Sequence, residues 1–96
     1  MEKELIAKWK IRETETPGIL KLLEELVEKT RNEPGNISYH IYQSTDNANE
    51  LFLHERYVDS DAVEVHKNSE HYQQIVLGKI IPHLETREVT LLKKLF

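Results

Sequence analysis

Leu51-Phe52-Leu53-His54-Glu55-Arg56-Tyr57-Val58-Asp59 is the stretch on which the fold turns. Successive residues of a strand point to opposite faces, so Leu51, Leu53, Glu55 and Tyr57 share one face and Phe52, His54, Arg56 and Val58 the other. The first row is apolar except at Glu55, which marks it as the face turned toward the helices. Upstream, Ser44 to Asn49 is polar and rich in Asn and Asp, the composition of a hairpin loop. Before that loop, Ile37, Tyr39 and Ile41 alternate with Ser38, His40 and Tyr42, which predicts a second strand.

Further upstream, Asn32-Glu33-Pro34-Gly35 reads as a helix stop. Proline disfavours helical geometry in the residue before it, and glycine permits a left-handed turn. Ile19, Leu22, Leu23, Leu26, Val27 and Thr30 form one apolar stripe, with Lys21, Glu24, Glu25, Glu28 and Lys29 outside it. This predicts one helix starting at Thr16-Pro17, where a hydroxyl can cap and proline suits the first helical position. The first strand spans Glu4 to Arg12, with Leu5, Ala7, Trp9 and Ile11 alternating with Ile6, Lys8, Lys10 and Arg12.

Downstream of the opening stretch, Asp59-Ser60 can cap a short helix carrying Ala62, Val63 and His66. Asn68-Ser69 can cap another with Tyr72, Ile75, Val76 and Ile80 on one side; Gly78 weakens it and Pro82 marks its end. A last strand is predicted over Glu88 to Leu95. The order β-α-β-β-α-β, with the second helical region split, predicts an α+β ferredoxin-like fold, an antiparallel sheet with helices on one face. Strands one and four are apolar on both sides (Ile6 beside Leu5, Leu92 and Phe96 beside Leu91). A strand apolar on both sides is usually covered on both. This predicts a face-to-face homodimer, a dimeric α/β barrel; the other reading is that Leu92 and Phe96 are simply exposed near a terminus.

The 96 residues fit one domain, 1–96. Thirteen basic and seventeen acidic residues give a net charge of −4, interleaved along the chain. The small Lys93-Lys94 pair is no basic footprint, so no nucleic-acid partner is expected. There is no cysteine, hence no disulfide, thiolate metal site or thiol nucleophile, which fits a cytoplasmic location. No apolar run approaches signal-peptide or membrane-span length, so neither export by that route nor a membrane partner is expected.

Glu55 is the position with most to say about chemistry. A carboxylate in an apolar row needs a partner or a raised pKa. It is either a structural acid satisfied by a backbone N–H or an arginine, or a site residue. His66 lies near the inward side of its helix, where it can serve a ligand or a proton near neutral pH, or be satisfied in the core. His40 and His54 fall on the opposite sheet face. His66 and His71 stand five apart across a helix break, unlike a helical i, i+4 metal pair, and His54-Glu55 does not extend to HExxH because Val58 occupies the last position. No zinc site is expected. The three glycines build no phosphate-cradling loop, and no serine sits in a nucleophile elbow. Trp9, Tyr39, Tyr42, Tyr57 and Tyr72 can line an aromatic-tolerant pocket or be core.

Taken together, several of these pieces form a pattern: Arg31-Asn32-Glu33-Pro34-Gly35 with Tyr39 four residues on, Leu51-x-Leu53-x-Glu55-x-Tyr57-x-Asp59, Ala62, His66, and Ser69-Glu70-His71-Tyr72. In order and spacing, over nearly the whole chain, it resembles the antibiotic-biosynthesis-monooxygenase family, including its quinol-monooxygenase-like bacterial members. The resemblance implies a dimeric ferredoxin-like fold with one cavity per subunit between sheet and helices. It also implies oxidation of a small aromatic or quinol substrate by O2 with no cofactor. In that reading Glu55 and His66 are the catalytic pair. Tyr57 and Tyr72 are walls, His71 contacts substrate or caps, and Trp9 and Tyr39 complete the pocket. Haem-degrading relatives carry an axial histidine where this chain has Val76 and a tryptophan where it has His66, which disfavours that branch. Another branch acts on a phosphorylated autoinducer-2-type sugar derivative and shares a pattern like His66-Lys67-Asn68-Ser69-Glu70-His71-Tyr72. It keeps open an isomerase or lyase on a small phosphorylated ligand, with Lys67, Arg56 and Arg87 as candidate cations. A non-catalytic ligand-binding, stress-associated dimer is the third reading.

Overall fold

The alternation of apolar residues becomes four antiparallel strands: β1 (Lys3–Ile11), β2 (Asn36–Gln43), β3 (Glu50–Tyr57) and β4 (Leu84–Leu92). The computed structural model describes residues 1–96. The strands lie in the order β2-β3-β1-β4. Helices α1 (Thr16–Leu20), α2 (Leu23–Arg31) and α3 (Ser60–Asn68), with a π-helix over Tyr72–Ile80, complete a ferredoxin-like α+β fold. The β2–β3 hairpin turns through residues 44–49 as predicted. Ser44 Oγ accepts the Asp46 and Asn47 N–H groups, and Asn47 Oδ1 accepts that of Asn49.

The core is built from the inward rows. Leu5, Ala7, Trp9 and Ile11 of β1 and Leu51, Leu53, Glu55 and Tyr57 of β3 are all buried, under Ile19, Leu26, Ala62, Ile75, Val76 and Ile80. Register explains why the rows meet. Leu5 stands opposite Glu55 and Ala7 opposite Leu53, while Tyr39 of β2 flanks Glu55 from the other side.

The structure departs from the sequence reading at five points. The predicted long helix is two, because the chain tightens after α1, with the Leu22 N–H bonded to Ile19 O at 2.9 Å. Thr16 does not cap; it is buried and donates its hydroxyl to Asn49 Oδ1 at 2.7 Å, tying α1 to the hairpin loop. Ile37 leaves the inward row because β2 slips register between Asn36 and Ser38, a bulge that carries Ile37 to the surface. β4 starts at Leu84 and ends at Leu92, not at Glu88 and Leu95. After half-buried Leu84 the strand is exposed throughout, so backbone pairing with β1 makes it a strand without any buried row to announce it.

Gly35 is the fifth. No glycine has a positive φ, so Gly35 does not supply a left-handed turn. It supplies room: a Cβ there would collide with the Cβ of Ala62. The turn after α2 therefore packs directly on α3, while the Gly35 carbonyl accepts the Val58 N–H at 2.9 Å. The predicted Asp59 cap is present, with its side chain accepting the Ala62 N–H at 2.8 Å. Ser69 Oγ likewise accepts the Tyr72 N–H and donates to His66 O.

The outward face of the sheet is mixed. Exposed Ile6, Tyr42 and Leu92 lie among the ion pairs Lys8–Glu50 and Arg56–Glu2 and the hydrogen-bonded contact of His54 with Glu4. No helix is long and apolar enough to cross a membrane.

Gly35→Ala should cost about 1–3 kcal/mol by overpacking against Ala62. Gly78→Ala, where an added Cβ meets only the Gln73 carbonyl at ordinary contact distance, should be neutral or gain up to about 1 kcal/mol. Urea titration of the two variants checks this; equal stabilities would remove the close-approach explanation.

Candidate active site

Glu55 reaches the site because β3 alternates. Its row faces the helices, and its neighbours across the sheet are Leu5 and Tyr39. Its carboxylate is not left bare: Tyr57 Oη donates to Oε1 at 2.7 Å, and His66 Nε2 lies 3.8 Å from the same oxygen. Burial pushes the Glu55 carboxyl above its ordinary pKa, opposed by the Tyr57 hydrogen bond and by the nearby His66. Burial, with Glu55 alongside, drives the Tyr57 hydroxyl well up, and burial does the same to Tyr39. Both phenols are thereby held as O–H groups.

His66 reaches the same place from above. Capping by Asp59 sets the start of α3, and Ala62 and His66, one turn apart, turn inward; both are buried. Three phenol rings surround the imidazole: Tyr57, Tyr72 and Tyr39, with centroids at 5.3, 5.0 and 5.8 Å. Its Nδ1 lies 2.8 Å from Glu33 Oε2. Glu33 also takes His71 Nε2 at 2.6 Å on that oxygen. A neutral His66 that donates from Nδ1 leaves Nε2 bare and turned toward Glu55.

Between these groups lies a small cavity of about 60 Å³, walled by Trp9, Tyr39, Glu55, Tyr57, His66, Tyr72, Val76 and Arg87 among others. A larger hollow of about 620 Å³ runs along the outside of α2 and β2 over Leu23, Val27 and Ile41. It is an open groove whose charged groups, Glu24, Glu28 and Arg31, are not buried, so the smaller cavity, with buried Glu55 and His66, is the candidate site. The indole N–H of Trp9 is buried without an acceptor, a donor free for a ligand. Arg87 donates to Tyr72 Oη at 3.1 Å on the cavity wall, and Lys67 also lines the cavity.

Of the residues singled out from sequence, Glu55, His66, Tyr57, Tyr72, Trp9 and Tyr39 come together around one cavity. His71 does not line it; its ring stands beside that of His66, centroids 6.0 Å apart, on the same Glu33 oxygen. Arg56 lies on the outward face, paired with Glu2, and leaves the cation set. The residue missed is Glu33. It appears in the helix-stop motif and is legible there only as punctuation, because its partners lie 33 and 38 residues away.

Comparison with known proteins agrees with this architecture. Residues 4–76 match the family model described as antibiotic biosynthesis monooxygenase. A Mycobacterium tuberculosis protein, Rv0793, provisionally named a monooxygenase, is 37% identical over 68 residues, 71% of this chain and 66% of that protein, just under two thirds of its length. The solved structure of Rv0793 superposes with a TM-score of 0.90 at 31% identity, covering 100% of this chain and 97% of that one. A crystal structure described as antibiotic biosynthesis monooxygenase gives a TM-score of 0.92 at 28% identity, covering 99% of each chain. A Nitrosomonas europaea structure at 22% identity and a TM-score of 0.89, covering 99% of this chain and 91% of that one, shares the fold. With the family model matched over most of its length, the chain belongs to the antibiotic biosynthesis monooxygenase family.

Proposed function

We propose that the protein is a cofactor-independent monooxygenase that oxidises a small aromatic or quinol substrate with O2 in the cavity between sheet and helices. One observation carries the reading: Glu55 and His66 Nε2 face each other at 3.8 Å in a buried pocket walled by aromatic rings. An electron-rich phenol becomes reactive toward O2 once deprotonated. The base takes the substrate proton, the substrate carbon is oxidised to a hydroperoxide, and loss of water leaves one oxygen atom as a carbonyl. The O–O bond breaks, and the second oxygen departs in the water. The protein's part is to hold the ring, take and return the proton, and exclude solvent. Tyr39, Tyr57 and Tyr72 supply flat walls, and the unpartnered indole N–H of Trp9 supplies a donor to a substrate oxygen.

Drug-sized ligands occupy pockets of roughly 300–1,000 Å³, so a ring enters this cavity only if a wall moves. Tyr72 and Arg87, joined by one hydrogen bond from the π-helix to an edge strand, are the wall with least holding it. A second reading has its own observation. Lys67 and Arg87 both line the cavity, which suits a small phosphorylated ligand and an isomerase or lyase reaction. We further assign the exposed apolar groups of the outward sheet face, Ile6, Tyr42 and Leu92, to a homodimer contact. The fold and cavity suit a protein working in the cytoplasm on a diffusible substrate.

In an oxygen-electrode assay with dihydroxy-aromatics, Glu55→Gln and His66→Asn should each lower kcat about 100-fold or more. Asparagine retains a donor toward Glu33. Unchanged turnover in both would sink the assignment, whereas competition by simple phosphosugars in an oxygen-independent assay would favour the second reading.

Because burial raises the Glu55 pKa, the native state holds this proton to higher pH than the unfolded chain. Its stability therefore falls as pH rises from the ordinary carboxylate value through the raised one. Glu55→Gln should melt above the parent at pH 7, with the difference vanishing below about pH 4. A difference that does not change with pH would contradict this. Light scattering should give twice the chain mass, and Ile6→Lys with Leu92→Lys should halve it; a monomeric parent would rule out the dimer.

A further inference from the structure

Behind the cavity, Glu33, His66 and His71 converge from three separate parts of the chain: the turn after α2, the last turn of α3 and the entry to the π-helix. One ligand atom from each lies within 4.8 Å of the other two. Both imidazoles point a ring nitrogen at a single carboxylate oxygen, Glu33 Oε2, at 2.8 and 2.6 Å. The other oxygen, Oε1, is buried without any partner, on a side chain only 8% exposed. An orphaned buried carboxylate oxygen is costly, and two hydrogen-bonded imidazoles on its sister atom do not satisfy it.

We infer that Glu33, His66 and His71 form a binding site for a first-row divalent transition-metal ion. The donor set decides the class. Two imidazoles and one carboxylate suit zinc, cobalt, nickel or ferrous iron, whereas magnesium and calcium require mostly oxygen. Ligand bonds of about 2.0–2.2 Å put neighbouring donor atoms slightly farther apart than the two hydrogen bonds observed. Metal entry thus replaces those two bonds and widens both oxygen–nitrogen separations modestly. The free Glu33 oxygen lets the carboxylate bind through either atom or both. His71, at the outer rim and 12% exposed, gives the ion a way in.

The outer shell is also in place. A histidine that binds metal through Nδ1 carries its proton on Nε2, and metal-bound histidines commonly pass that proton to a carboxylate. Here His66 Nε2 already faces Glu55 at 3.8 Å, and Glu55 is itself held by Tyr57. The expectation of no zinc site rested on the five-residue spacing of His66 and His71 and on Val58 standing in the last HExxH position, both rules for ligands carried on one helix. That spacing fails the helical rule because the third ligand and the geometry come from the tertiary fold. The inference does not rest on the oxidation chemistry proposed above, but the two share His66: with metal on Nδ1 its Nε2 carries the proton, which leaves Glu55 as the base.

The test is isothermal titration of tag-free full-length protein with zinc chloride, with circular dichroism on every variant. One zinc per chain is expected, with a Kd below about 10 µM, near −7 kcal/mol. Glu33→Gln and His71→Ala should each weaken binding at least tenfold. Magnesium at the same concentrations should give no heat. His54→Ala, which removes the other histidine–carboxylate pair, on the outward sheet face, should leave binding unchanged. No zinc binding at 100-fold this concentration would overturn the site, as would full affinity in both ligand variants or loss of binding in His54→Ala. If Glu33→Gln fails to fold, the partly exposed His71→Ala decides alone.

Discussion

A carboxylate in the middle of an inward strand row constrains much of what surrounds it. Glu55 occupies a position where Leu51, Leu53 and Tyr57 lie fully in the core. Removing an ionised carboxylate from water costs several kcal/mol even after relaxation. The surrounding structure is arranged to reduce that cost without abolishing it. Tyr57, two residues on and on the same face, donates its hydroxyl. His66 arrives from α3, and the rings of Tyr39 and Tyr72 join aliphatic walls such as Leu5, Val63 and Val76. The carboxyl still has a raised pKa, so the compensation is partial. A group held in that condition within a cavity suits proton transfer better than it suits stability.

The same pocket depends on a second buried acid. Glu33 fixes the ring of His66 from behind and that of His71 from the side, so one carboxylate oxygen joins the α2 turn, α3 and the π-helix. Gly35, two residues later, lets that turn approach α3 closely enough for the contact to form. Position and orientation of the cavity's imidazole are therefore set by a four-residue turn that does not itself line the cavity.

How much of this was legible in the sequence follows from which interactions are local. Period-two alternation exposed β1 and β3 through their buried rows and β2 through Tyr39 and half-buried Ile41, and the hairpin loop declared itself by composition. Asp59 and Ser69 were legible as caps because a cap acts over three residues. β4 was misplaced because its first turns bury almost nothing, and backbone pairing leaves no mark on side-chain pattern. Glu55 was visible as a polar intrusion in an apolar row. Its meeting with His66 became legible only through the family pattern, since nothing in local periodicity brings positions 55 and 66 together. Glu33 had no such signal, and His71 was expected to contact substrate or to cap because the family pattern includes it beside Tyr72. Tyr72 turns toward the cavity, whereas His71 turns toward Glu33.

The winding of Tyr72–Ile80 adds a consequence of a different kind. A π-helix spends more residues per turn than an α-helix, and such segments often occur beside functional sites. Here it carries Tyr72 at one end of the cavity wall and buries Ile75, Val76 and Ile80 along the rest. Its excess of residues is a reserve of length. Losing one residue would let the segment rewind toward α geometry, absorbing the loss within itself while turning Tyr72 relative to Ile75 and Val76. Insertion or deletion in this one segment is therefore a route by which the fold could reshape its pocket while every strand, and both buried acids, stayed where they are.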